Sequence, residues 1–390
     1  MLNNSHSSYR GYHWIFVAVL LIVAVNLRPS MAALGPLLDL IQHDTGLTSS
    51  SAGLLTTLPV LAMGLCALTG AMLHRRFGAY HGVTLGLAMI GAACGARWWL
   101  NETNGLIVTA ALGGAGIAFV QALLPGYIRD QFPNRVGLLM GLYTTGIMGG
   151  AAIAAMTASP IADATSWNGA LALWSLPTLV AGLAWVMIAQ SAPQPNTPSA
   201  MRLPLRSPRA WLLTLFFGLG TSAYTLVLAW LPPFYMELGW NASQSGLLLG
   251  VLTIAEVIAG LCLSVMITRF TDRRPLLYGV LIVLLAGLAT LLIAPTTLAI
   301  AAAVLLGIGI GTLFPLSLII TMDHTHDARS ASAWMALVQG GGYMIASLMP
   351  LLAGMLRDSL SSLSMAWMVM AGGVVVLIVL TGRLSPASMS

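Results

Sequence analysis

The chain has 390 residues, 58% of them hydrophobic and only 7% charged, with a mean hydropathy of +0.89. A soluble domain carries roughly 25% charged residues, so a soluble globular fold is excluded and a polytopic membrane protein is expected. The formal net charge of +5 comes from 16 basic residues, all Arg and set in short gaps between apolar stretches, a topology pattern that argues against a nucleic-acid-binding surface.

With about 20 apolar residues per crossing, the sequence predicts twelve transmembrane helices. They lie near 13–41, 49–73, 81–100, 105–128, 136–158, 167–190, 210–238, 243–267, 276–294, 297–321, 331–356 and 364–382. The first continues past Arg28 and Pro29 and is too long for a signal-peptide core, so it is expected to be retained. With a cytoplasmic N-terminus, Arg10, 75, 76, 129, 135, 202, 206, 209, 269, 273, 274, 329 and 383 fall at cytoplasmic ends, and Arg357 alone falls outside. The positive-inside rule then sets both termini in the cytoplasm. Arg28 and Arg97 remain inside spans.

The longest polar interval, Ser191 to Ser207, is rich in Pro and Ser and divides the spans six and six. It predicts a bundle over 1–190, a cytoplasmic linker over 191–209 and a second bundle over 210–390. A shift of 193 residues lays Gly53-Leu54-Leu55 on Gly246-Leu247-Leu248, Arg76-Phe77 on Arg269-Phe270, and Gly114 and Gly116 on Gly307 and Gly309. The chain therefore reads as a duplicated half, an all-α fold of two pseudo-symmetric six-helix bundles with a site near the midplane between them.

The loop Ala71-Met72-Leu73-His74-Arg75-Arg76-Phe77-Gly78 resembles the cytoplasmic loop motif of the major facilitator superfamily, with Arg75 in place of the usual acid. Arg269-Phe270-Thr271-Asp272-Arg273-Arg274 is a partial second copy. Several first-half motifs resemble the cyanate transporter branch, which also contains 2-nitroimidazole exporters. They are Asn26-Leu27-Arg28-Pro29, Gly35-Pro36-Leu37-Leu38, Leu55-Thr56-Thr57-Leu58-Pro59, Gly113-Gly114-Ala115-Gly116-Ile117, Gln121-Ala122-Leu123-Leu124-Pro125 and Met140-Gly141-Leu142-Tyr143. The resemblance implies a secondary transporter of the bacterial inner membrane, with the polar mid-span residues around its cavity.

Arg28 at mid-span is the main candidate. A guanidinium at bilayer depth costs about 2.5–3.5 kcal/mol on insertion scales, and its planar fork suits a small or carboxylate-like anion. The structural alternative is a neighbouring carboxylate with free carbonyls, which Pro29 and Pro36 would supply by bending the helix. Glu256 is the acid deepest in a span, and is expected either to pair with Arg28, to carry a proton, or to make a static interhelical bond. Gln121, Tyr143, Tyr224 and Gln339 are further candidates for solute contact, or interhelical glue. Asn26 lies on nearly the opposite helix face from Arg28 and is expected to bond another helix. Arg97, beside Trp98 and Trp99, is expected to snorkel outward as an interfacial anchor. Gly141, Gly146, Gly149, Gly150 and Gly340–Gly342 read as packing residues. The cysteines lie in apolar segments and the histidines near span ends, so no disulfide, metal, cofactor or histidine relay is expected.

These features predict a transporter and not an enzyme, working as a monomer in the lipid bilayer on a small anionic, cyanate-like solute, with protons as a second candidate partner. The alternative is export of a neutral or weakly acidic compound such as a 2-nitroimidazole.

Overall fold

Every regular element among the described residues is helical. The computed structural model describes residues 4–189, 203–270, 272–325 and 328–384. The first span is built from α1 (Asn4–Val25), α2 (Pro29–Ala32) and α3 (Leu34–Thr45), and α4 (Ser49–Ala96) follows. Next come α5 (Thr103–Gln131), α6 (Val136–Ala164), α7 (Trp167–Ala172) and α8 (Ser175–Ile188). The second half holds α9 (Pro208–Glu237), α10 (Ala242–Met266), α11 (Arg274–Ile293), α12 (Ala299–Asp323), α13 (Ala328–Leu360) and α14 (Ser364–Thr381).

Eleven segments are long and apolar enough to cross a membrane. One of them, α4, has 48 residues and is interrupted at Gly78 by φ 67° and ψ 164°, a conformation open to glycine and costly for other residues. The chain reverses there, so α4 supplies the second and third spans and the total is the expected twelve. The Arg75-Arg76-Phe77-Gly78 loop is thus a tight turn whose geometry depends on its last residue. In the second-half copy the turn is held by side chains instead. Arg273 donates to the carbonyls of Ile267 and Phe270 and reaches Asp323 at 3.2 Å. Arg274 lies 2.8 Å from Asp272 and holds that exposed carboxyl below its usual range.

Helix starts follow from local chemistry. Thr48 caps α4, Ser207 caps α9, and Asn241 with Gln244 forms a reciprocal capping box on α10, each satisfying an amide that the first turn leaves free. On α8, Leu176, Leu179, Leu183 and Met187 are exposed along one face, which in this setting is the lipid face.

The 193-residue offset recurs in the packing. A Cβ on Gly114 would strike Pro59, and one on Gly307 would strike the Leu252 carbonyl; both members of each pair are one offset apart. Across the halves, Gly53 admits the Pro350 carbonyl of α13, and Gly246 admits the Ala155 carbonyl of α6. The two halves therefore touch backbone to backbone along α4–α13 and α6–α10. Of the expected linker, 203–209 is described and the rest lies outside the described residues.

Candidate substrate site between the halves

The first span does not merely bend at Arg28 but breaks. Helix α1 stops at Val25, and Pro29 opens α2 at its first position, where its missing donor is not needed. Pro36 falls in the first turn of α3 and is equally harmless, so the break belongs to Asn26–Arg28. Asn26 caps the end of α1 through Nδ2 to the Ile22 carbonyl at 2.8 Å, and its Oδ1 accepts from Thr178 Oγ1 of α8 at 3.1 Å, the interhelical bond expected of it. Gly146 of α6 makes room for the Ala24 Cβ, and Gly150 lets the Val25 backbone come into contact just before the break.

Arg28 is 5% exposed, and its partners are unusual. Nη1 points at the thioether sulfurs of Met31 and Met63, each at 3.8 Å, and sulfur is a weak acceptor. Among the described residues no carboxylate lies within ion-pair distance, and Nε has no partner. The expected structural alternative of a neighbouring acid is therefore absent from the geometry. The Tyr224 ring of α9 lies 5.4 Å from the guanidinium carbon, and the buried phenol oxygens of Tyr143 and Tyr224 lack partners. Tyr343 of α13 also interacts electrostatically with Arg28. It stands four residues after Gln339, on the same helix face, a spacing from which the sequence could have supplied it.

Glu256 is buried on α10, and Oε1 is without a partner. Its backbone is pressed against α12, where a Cβ on Gly311 would overlap its own carbonyl and Cα. Gly311→Ala is expected to lower thermal stability in detergent by about 1–3 kcal/mol, the usual range for overpacking, measured by the unfolding midpoint of the purified protein. The expected direct pair with Arg28 is not formed. Tyr224 interacts electrostatically with both groups, and Glu256 with Arg28, without an ion pair between the last two.

Gln121 and Gln339 are half-buried, with no side-chain hydrogen bond among the described residues. Arg97 departs from its expected role. It is 2% exposed and turns inward, donating from Nη1 to the Ser30 carbonyl at 2.9 Å and from Nε to Thr109 at 3.3 Å. The break leaves a carbonyl unsatisfied close by, and in a dry interior that outweighs the pull of the interface. Trp98 and Trp99, at 51% and 76% exposure, remain as the outward anchors. Among the glycines, Gly146, Gly150 and Gly340–Gly342 meet neighbours closely, while Gly141 and Gly149 face open space.

One end of the site is shut by a cluster that sequence reasoning did not single out. Arg357 of α13 bridges the halves through Nη2, 3.3 Å from Asp39, and Nη1, 3.1 Å from Gln42, while its Nε lies 2.7 Å from Glu237 of its own half and the guanidinium sits over the Trp230 ring. Next to it, Asp358 accepts the Ser49 and Ser50 amides at 2.9 and 2.8 Å and the Ser50 hydroxyl at 2.6 Å. Deeper, Thr57 donates to the Ser347 carbonyl at 2.7 Å. Every polar contact between halves described here lies from that middle level toward the Arg357 end.

A twelve-span duplicated helical protein, closed at one end over a buried cation between its halves, is a membrane transporter. The chain belongs to the Major Facilitator Superfamily, whose model matches residues 20–347. It is 36% identical over 374 residues to the "Cyanate transport protein CynX" of Escherichia coli (strain K12), covering 94% of this chain and 96% of that one. It is 31% identical over 368 residues to the "2-nitroimidazole transporter" of the same organism, covering 93% and 92%. These relatives bear out the resemblance to the cyanate transporter branch. The crystal structure of a D-xylose-proton symporter superposes with a TM-score of 0.78 at 13% identity, over 96% of this chain and 98% of that one, a likeness of fold alone.

Proposed function

We propose that the protein carries a small anion of cyanate's kind across the bacterial inner membrane by alternating access between its two halves. The observation that carries this is Arg28: a buried guanidinium with thioethers for partners, a free Nε and, among the described residues, no acid within ion-pair distance. A charge left so poorly compensated favours a negative visitor, and Tyr143 and Tyr224 offer hydroxyls to the same visitor. The test is a thermal-shift panel of small anions and nitroheterocycles on purified protein, followed by flux in liposomes. Cyanate-dependent stabilisation and flux support the proposal; flux of nitroimidazole alone replaces it with export of a weakly acidic heterocycle, a second reading favoured by the Tyr224 ring over Arg28.

The bundles over 1–190 and 210–390 rock about this site as a functional monomer, with both termini and the linker cytoplasmic. Reporter fusions at the linker test the orientation: activity of a periplasmic reporter there, with a cytoplasmic reporter silent, overturns it. With that orientation the closed Arg357 end faces the periplasm. Arg357→Ala removes the ion pair to Asp39 and the hydrogen bond to Gln42 that cross between the halves, the ion pair being worth about 0.2–1 kcal/mol at this exposure, and should bias the carrier toward outward opening. Cysteines placed near Gln42 then react several-fold faster with a membrane-impermeant thiol reagent than in the parent; an unchanged rate removes the bridge from the gating equilibrium.

A further inference from the structure

Most buried arginines are held by carboxylates or carbonyls, which take up part of their charge. Arg28 is held differently. Met31, one turn along the broken first span, and Met63, on α4, both receive Nη1, and a thioether accepts so weakly that it fixes the direction of the group while leaving its charge almost intact. With Nη1 turned into the sulfurs, the guanidinium edge carrying the unpartnered Nε remains for a ligand. Around it stand the Tyr224 face and the unpartnered phenol oxygens of Tyr143 and Tyr224, with Tyr343 and Glu256 interacting electrostatically with the guanidinium. An anion entering this place must give up its water for one cation, two phenols and soft, polarisable surfaces.

We propose that Met31 and Met63 determine specificity, and that the site selects weakly hydrated, polarisable anions of the pseudohalide class over strongly hydrated anions of similar size. The proposal rests on the anion site described above and adds the basis of its selectivity, which is hydration and not charge or length. A carboxylate the size of formate loses more hydration free energy on entry than thiocyanate, azide or cyanate, and thioethers return little of it.

The experiment is calorimetric titration of the purified full-length protein with the sodium salts of thiocyanate, azide, cyanate, formate and acetate, at fixed ionic strength. The Arg28→Ala protein run in parallel removes generic salt effects. The expected result is that the three pseudohalides bind at least ~30-fold more tightly than formate, about 2 kcal/mol. Met63→Gln, which replaces the thioether by an amide dipole, should pull that ratio down ~10-fold, chiefly by strengthening formate. The wild-type series decides even where a variant does not fold. Formate binding as tightly as thiocyanate, with both lost in Arg28→Ala, overturns hydration selectivity and leaves the anion site standing. A ratio unchanged in a folded Met63→Gln removes the thioethers from the selection. Binding of every anion unaltered in Arg28→Ala sinks the anion site itself.

Discussion

Arg28→Ala is expected to abolish solute binding while leaving the protein in the membrane at normal abundance. The substitution removes the Arg28 guanidinium and the Nε edge that has no other partner, so the expected loss is on the order of 2–5 kcal/mol, roughly thirty- to several-thousand-fold in Kd. Folding should suffer little, because the guanidinium holds no acid and donates only to two thioethers. Arg28→Lys separates charge from shape. An ammonium keeps the charge, but it is a compact point without the planar fork, and it cannot touch Met31, Met63 and a ligand along two edges at once. Rescue should therefore be partial, with binding nearer to the Ala variant than to the parent. Titration of all three proteins with the best ligand of the anion panel is the measurement; an Arg28→Ala protein that binds as tightly as the parent makes Arg28 a structural residue.

The second large effect concerns driving force. Glu256 interacts electrostatically with Arg28 and Tyr224, with Oε1 unpartnered, and among the described residues no fully buried histidine is present to carry protons in its place. Glu256→Gln keeps the size and reach of the side chain but cannot cycle a proton. In liposomes the variant is expected to exchange labelled solute across the membrane at near the parent rate and to lose accumulation driven by an imposed pH gradient. Gradient-driven uptake that persists undiminished in Glu256→Gln assigns the residue to static balancing of Arg28. Should the parent itself show no response to the gradient, the carrier is a uniporter and Glu256 neutralises Arg28 through space while the site is empty.

The spans were legible because each is a long apolar run, and the duplication was legible because its glycines sit where helices cross at backbone distance. Gly114 and Gly307 were visible as a matched pair before their neighbours Pro59 and Leu252 were known. Arg28 and Glu256 were legible for the opposite reason: a charge at bilayer depth stands out against its surroundings. What could not be read was direction. Arg97 has the sequence context of an outward anchor, and only the carbonyl freed at Ser30, three-dimensional information from another span, turns it inward. Met31 and Met63 are ordinary packing residues in a chain with 21 methionines, and their role follows from where one nitrogen points. Arg357 seemed a lone exception to a charge rule, because its partners Asp39, Gln42 and Glu237 come from two distant helix ends.

The clasp at Asp358 has a consequence for how this end of the protein tolerates change. Its carboxylate accepts the first amides of α4, a helix in the other half, so a parting of the halves there would strip a helix start of acceptors that water must replace. The lock is keyed on one side only. What Asp358 grips is main chain, present whatever residue occupies 49 or 50, and a Ser50→Ala chain forfeits just the hydroxyl contact. Mutational drift on the α4 side is thereby buffered, while a single change at 358 discards every strand of the knot.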